Sequence, residues 1–282
     1  MSTGTEVRPE RVRPVRAVAL LFGLLLLVRL LRVVAAKRFA EAGIVEEPLW
    51  GLARLGEDLL ALAPLFLALL LTEWTGGPDA TRALVQRATR WRAPARAWLA
   101  ACVPLAVLLG GLCGQVLAGA PLELNPVDPI GLFGVRLVVR VLVVTFAFEV
   151  AWRGFAQEGF RGTGRYWSGA VGIGLAMALV HSLRPQLDLG VVPLLLLALP
   201  LGSILSVYLA WIYRLAEGSV VPGWIATSSG LYALLLVTVG LAGVDELGVS
   251  LGALSGLVLC AAALRLTRPA PDSQPPGLEA SP

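Results

Sequence analysis

The chain has 282 residues, of which 57% are apolar, and its mean hydropathy is +0.78. A globular domain holds about 45–50% apolar residues, and the surplus here falls in runs of about 20 residues, the length that crosses a bilayer. The net charge of +4 comes with no basic stripe interleaved with aromatic residues, which argues against a nucleic-acid partner. Composition therefore predicts an all-α, polytopic transmembrane helical bundle in contact with a lipid bilayer, and it excludes a soluble domain.

Eight apolar segments follow one another along the chain. They cover roughly 17–36, 56–73, 97–119, 130–160, 168–184, 192–213, 219–240 and 247–265. The first follows an arginine-rich N-terminus, but it is long for a signal peptide and Arg29 and Arg32 interrupt it, so we expect a retained helix. The tail over 269–282 is proline-rich and polar and is predicted to be disordered.

The basic residues indicate the orientation of these segments. With the N-terminus in the cytoplasm, the inner connections carry 13 basic residues and the outer connections carry three. Because lysine and arginine concentrate in cytoplasmic loops, the sequence predicts eight spans with both termini inside. All but one of the 23 basic residues are arginine, Lys37 being the exception, and this bias is typical of a GC-rich genome. We expect the protein in a bacterial inner membrane.

The fourth segment carries charges that are costly inside a membrane, and such residues are functional candidates by default. Glu149 and Arg153 are four residues apart on the helix, so they share a face and are expected to pair. Arg136 and Arg140 lie about 180–220° around the helix from Glu149. For these two arginines we expect snorkelling or packing against another helix.

The fifth segment holds His181, the only histidine of the chain. It follows a run of small residues over 172–178, and small residues let helices approach closely. Counted at about 1.5 Å per residue, Glu149 lies roughly 17 Å from the Gly162–Gly164 turn and His181 roughly 20 Å along the next helix. The carboxylate and the imidazole are therefore expected at similar depth, although a lone buried histidine is often merely hydrogen-bonded.

The seventh segment contains a polar run at Thr227, Ser228, Ser229 and Gly230. Hydroxyls in membrane helices commonly bond to their own backbone or to a neighbouring helix. The other interpretation is a wall of hydrogen-bond donors for a bound peptide. The sequence leaves both interpretations open.

At these residues the chain resembles the CPBP family of intramembrane proteases, also called the CAAX-protease family. The signatures of that family are EExxxRG, FxxxH and, in a later helix, HxxxN. Here they read FEVAWRG over 148–154, MALVH over 177–181 and GSVVPGWIATSSGL over 218–231. The resemblance covers roughly 130–240. It implies a protease core of helices 4–7 at 130–240, preceded by the first three spans in 1–129 and followed by a last span in 241–268.

The resemblance implies an endopeptidase that cleaves a membrane-embedded peptide or C-terminal signal with an activated water. The chain departs from the family at Phe148, which replaces the first Glu, and at Thr227 and Leu231, which stand for the last His and the Asn. In one interpretation Glu149, held by Arg153, is the general base and His181 orients the water. Thr227 or Ser228 then donates to the oxyanion.

In a second interpretation the protein is a pseudoprotease that binds or regulates a membrane partner. A transporter is a third class, because Pro200 and Pro222 are positioned to break the sixth and seventh helices. We expect no metal and no cofactor, although some family members are described as metal-dependent. The chain has one histidine and no HExxH motif, and its cysteines lie in apolar runs without CxxC spacing: Cys102, Cys113 and Cys260.

Overall fold

The structure, a computed structural model, describes residues 14–41, 61–119, 123–124, 135–182, 191–235 and 241–242. Eight α-helices lie in this part of the chain: α1 Pro14–Glu41, α2 Ala63–Thr89, α3 Ala95–Ala101, α4 Val103–Leu117, α5 Val135–Glu149, α6 Tyr166–Ser182, α7 Val191–Leu215 and α8 Val221–Leu235. The exception to helix is a pair of two-residue antiparallel strands, β1 Glu123–Leu124 and β2 Leu241–Ala242. The predicted all-α class is confirmed. The segment at 247–265, the tail at 269–282 and Cys260 lie outside the described residues.

Helix α5 does not end at Glu149 but continues with altered hydrogen bonding. A π-helical segment follows over Val150–Gln157, and a 3₁₀ turn closes it over Glu158–Phe160. The predicted end of this helix near Phe160 is confirmed, and the chain then turns through Gly162 at a φ of 74°. π-Helical turns are rare and occur frequently at functional sites, and this one contains most of the FEVAWRG signature.

Two of the apolar segments show a bend that hydropathy did not predict. The second segment is expected to end near 73, and its helical stretch ends at a kink at Gly77, where φ is 70° and ψ is −170°. A second stretch of α2 continues beyond the kink to Thr89. Pro78 restarts the helix because its fixed φ suits a first turn. The third segment was expected to be one helix, but α3 and α4 meet at Cys102 with a bend of 45°.

Neither proline that was expected to break a helix does so. Pro200 lies inside the continuous helix α7. Pro222 is the second residue of α8, where the missing N–H has no partner within the helix in any case. The feature that favoured a transporter is therefore absent at both positions.

Helices α6 and α7 cross at glycines. A Cβ added at Gly174 would lie 2.5 Å from the carbonyl oxygen of Gly202 and 2.6 Å from Cα of Ser203, so the backbones are in direct contact. This is the close approach expected of the small residues over 172–178. The main apolar core joins α1, α2, the π-helical segment and α6 through residues such as Leu21, Leu84 and Ile173.

One described helix is long and apolar enough to cross a membrane, through Ala198–Leu215, and the bent pair α3 and α4 is a second if the two count as one span. Shorter apolar stretches lie at Val18–Leu31 and Tyr166–Val180. This finding covers only the residues that the structure describes.

Candidate functional site

Glu149 is completely buried at the end of α5. Its Oε1 accepts a hydrogen bond of 2.8 Å from Oγ1 of Thr227 in α8. Its Oε2 lies 3.7 Å from Nε of Arg153, whose side chain is also buried. The predicted pair is therefore present, as an ion pair whose separation exceeds hydrogen-bond length.

Arg153 connects the π-helical segment to two other helices. Its Nη2 donates to Oγ of Ser206 in α7 at 3.0 Å, and Ser206 in turn donates to the carbonyl of Ala170 in α6 at 2.6 Å. The same Nη2 lies 4.0 Å from Sδ of Met177, the residue that replaces the Phe of FxxxH. Nε and Nη1 of Arg153 and Oε2 of Glu149 have no hydrogen-bond partner in the described structure. The buried pair thus keeps unused hydrogen-bonding capacity.

His181 lies in α6, four residues after Met177. Its side chain lies outside what the structure describes, so the proximity of the imidazole to Glu149 stays a prediction. The same holds for the side chains of Arg136 and Arg140, whose snorkelling stays a prediction.

Ser228 faces a different neighbour from Thr227. Its Oγ lies 2.5 Å from Oγ1 of Thr145 in α5, and Thr145 also lies 2.6 Å from the carbonyl of Val141. Since Thr145 donates to that carbonyl, Ser228 is the donor to Thr145. The hydroxyl hydrogens of Thr227 and Ser228 are thus both directed at side chains of α5, and the oxyanion role of either residue stays a prediction.

Two glycines set how closely the helices approach this cluster. A Cβ at Gly223 would lie 3.2 Å from Oε2 of Glu149, so the first turn of α8 rests directly on the carboxylate. The positive end of a helix dipole stabilises a carboxylate there. A Cβ at Gly154 would lie 2.8 Å from Cδ1 of Leu84, so the glycine of the signature lets α2 pack against it.

Sequence reasoning missed Ser206 and Gly223, because each acts through a residue distant in the chain. It also missed a second polar cluster around Glu158. The carboxylate of Glu158 accepts a 2.7 Å hydrogen bond from the hydroxyl of Tyr213 and lies 3.8 Å from Arg87 and 3.5 Å from Arg161. The signal available in the sequence was the spacing of Glu158 and Arg161, three residues apart at the end of the helix.

In the described part of the chain, no group of three or more His, Cys, Asp or Glu side chains is placed to hold a metal ion. Cys102 and Cys113 are free thiols. The buried cluster instead combines one carboxylate, one guanidinium and several hydroxyls, a set suited to proton transfer and hydrogen bonding.

A scan against protein-family models found no match for this chain, and a search of curated proteins found none either.

Proposed function

We propose that this chain is a polytopic protein of the bacterial inner membrane, with eight spans and both termini in the cytoplasm. The distribution of its side chains supports this. Large apolar residues lie on the surface, with Leu70 65% and Ile204 66% exposed, while Glu149 and Arg153 are buried. A water-soluble monomer rarely exposes large apolar patches, whereas lipid favours such a surface.

Cysteine labelling tests this topology. In a chain whose three cysteines are replaced by serine, Thr163→Cys reports on the turn before α6, and Asp128→Cys reports on the loop after the third span. A membrane-impermeant thiol reagent should label Thr163→Cys only in inverted vesicles and Asp128→Cys only in right-side-out vesicles. Labelling of both from the same side contradicts the proposed orientation.

We further propose that the protein is an intramembrane endopeptidase of the CPBP type that acts on a membrane-embedded peptide or protein. The observation that carries this proposal is the carboxylate of Glu149. Thr227 holds one of its oxygens, and the other lies beside Arg153 without a hydrogen-bond partner among the described residues. That second oxygen is a suitable acceptor for a proton from water.

The reaction is a hydrolysis that needs no cofactor. Oε2 of Glu149 takes a proton from a water molecule while the water oxygen bonds to the carbonyl carbon of the scissile peptide. The carbonyl electrons move to oxygen and form a tetrahedral oxyanion. When the C–N bond breaks, Glu149 returns the proton to the leaving nitrogen, so a carboxylic acid and an amine are released.

The neighbouring groups have distinct proposed roles. Thr227 positions the carboxylate, and His181 orients the water. Nη1 of Arg153 is a buried charged donor without a partner in the described structure, and we assign it to the developing oxyanion. The hydroxyls of Thr227 and Ser228, the candidates from the sequence for this role, both donate to α5.

Isotope labelling tests the reaction without knowledge of the natural substrate. Proteoliposomes containing the full chain are incubated with a pool of transmembrane peptides in ¹⁸O-water, and new C-termini are read by mass spectrometry. Wild type should place ¹⁸O in new C-termini, and Glu149→Gln and His181→Ala should not. Ser229→Ala is the matched control, because the hydroxyl of Ser229 bonds to the carbonyl of Ala226 in its own helix. Labelled products from Glu149→Gln contradict the assignment.

The hydrogen bonds of Thr227 and Ser228 to α5 support a second candidate function. In that case the cluster is a structural brace, and the protein is a pseudoprotease that binds or regulates a membrane partner. Wild type would then yield no labelled termini while co-purifying a partner. The neutral double variant Glu149→Gln/Arg153→Met would retain that partner.

A further inference from the structure

A long apolar groove runs along one face of α6, away from the cluster around Glu149. Its volume is about 880 Å³, and its walls come from α1, including Val18 and Phe22, and from Leu199 of α7. Gly169 and Gly172 form part of its floor. The groove therefore lies where three helices meet. The ring of Phe160 covers Gly169, whereas Gly172 faces open space.

The dimensions of this groove suit an extended hydrocarbon chain. The α6 side of the groove extends from Arg165 to Leu179, which is about 21 Å at 1.5 Å per residue. One leaflet of a bilayer contributes about half of the roughly 30 Å hydrocarbon thickness. An acyl chain of one leaflet therefore fits along the groove.

The polarity of the groove changes at one end. Arg165 and Ser168 are the polar side chains among its lining residues, and both stand at the start of α6. Arg165 is exposed and makes no ion pair in the part of the chain that the structure describes. Arg161, in the same turn, is paired with Glu158 and does not line the groove, so Arg165 is the cation at this end. An occupant with an apolar tail and an anionic head matches this pattern.

We propose that the groove binds an anionic phospholipid, with an acyl chain along α6 and the phosphate at Arg165. The proposal rests on the proposed membrane location but not on peptide cleavage. It gives the turn between the π-helical segment and α6 a lipid-binding role that the protease signatures do not explain.

Gly172 allows a selective block of the groove. A Cβ added there meets nothing within 4 Å, so a side chain at position 172 begins in open space and Gly172→Phe is expected to fill the groove. Val171→Phe is its matched control, because Val171 is the neighbouring residue, is 40% exposed and does not line the groove. Arg165→Gln removes the cation at the end of the groove, and Arg92→Gln removes an exposed arginine elsewhere.

The experiment uses the full chain in detergent, incubated with phosphatidylglycerol and phosphatidylcholine of identical acyl chains and examined by native mass spectrometry. Wild type should retain one phosphatidylglycerol, with a preference of about fivefold, which is the effect of one arginine near an anionic lipid. Gly172→Phe should lose the lipid and Val171→Phe should keep it. Arg165→Gln should bind both lipids equally, and Arg92→Gln should keep the preference.

Several results would overturn the proposal. One is equal lipid retention by Gly172→Phe and Val171→Phe, and another is an unchanged preference in Arg165→Gln. The proposal is also overturned if the wild-type protein retains neither lipid. A lipid-free dimer that Gly172→Phe abolishes would assign the groove to a second copy of the chain. No peptide substrate is present, so failure here is distinct from failure of the proposed cleavage.

Discussion

The hydroxyl of Thr227 donates to Oε1 of Glu149 at 2.8 Å, across 78 positions of the chain. Thr227 stands where the resemblance places a histidine, and Glu149 is the one glutamate that remains of the expected pair. The two helices that carry these residues thus keep a donor aimed at a buried carboxylate.

Glu149→Gln should lower the free energy of unfolding by about 3–5 kcal/mol, because Arg153 is left as a buried charge without its partner. The double variant Glu149→Gln/Arg153→Met should regain much of this loss. Glu217→Gln is the control, because its pair with Arg90 is about half exposed and should contribute less than about 1 kcal/mol. Reversible unfolding in detergent measures all three. Similar losses for Glu149→Gln and Glu217→Gln would contradict the buried pair.

Thr227→Val should destabilise the fold by about 1.5–3 kcal/mol, the usual range for a hydrogen bond to a charged group. Thr227→Ser keeps the hydroxyl and should recover most of the stability and, if the protein is a protease, most of the cleavage rate. Ser229→Ala should change little, because that hydroxyl bonds within its own helix. If Thr227→Val changes neither the free energy of unfolding nor the cleavage rate, Thr227 has no role in the site.

Gly174→Ala should cost about 1–3 kcal/mol, because its Cβ meets the backbone of α7, which cannot move away as a flexible side chain does. Gly172→Ala, on the same helix, meets open space and should stabilise the protein by up to about 1 kcal/mol through its higher helix propensity. Opposite signs in parallel unfolding measurements are the expected result. Equal effects would show that α6 and α7 do not touch at Gly174.

Tyr213→Phe should lower the free energy of unfolding by about 1.5–3 kcal/mol, because the buried hydroxyl donates to the carboxylate of Glu158. Arg161→Gln should cost less than about 1 kcal/mol, since its contact with Glu158 is 3.5 Å long and the arginine side chain is 51% exposed. Thermal unfolding of both variants shows which of the two substitutions costs more stability. A larger effect for Arg161→Gln would mean that the exposed ion pair, and not the buried hydrogen bond, holds Glu158.

Local features were predictable because they depend on neighbours in the chain. The i,i+4 spacing of Glu149 and Arg153 predicted their pairing, and the glycines around Thr163 predicted the turn after Phe160. The extent of α2 was not predictable from hydropathy. Its second half is polar on one side, and it is stabilised by burial of Leu84 beside Gly154, a contact between distant segments.

The sequence by itself determined that the described chain is helical, that a glutamate and an arginine share one helical face, and that three hydroxyls follow each other at 227–229. Only the tertiary structure decided which partner each hydroxyl forms a hydrogen bond with. Thr227 donates to Glu149, Ser228 contacts Thr145, and Ser229 bonds to its own helix. Successive helical residues point about 100° apart, so the rotation of α8 against α5 selects among them. That rotation is set by packing between helices, which no local pattern in the sequence encodes.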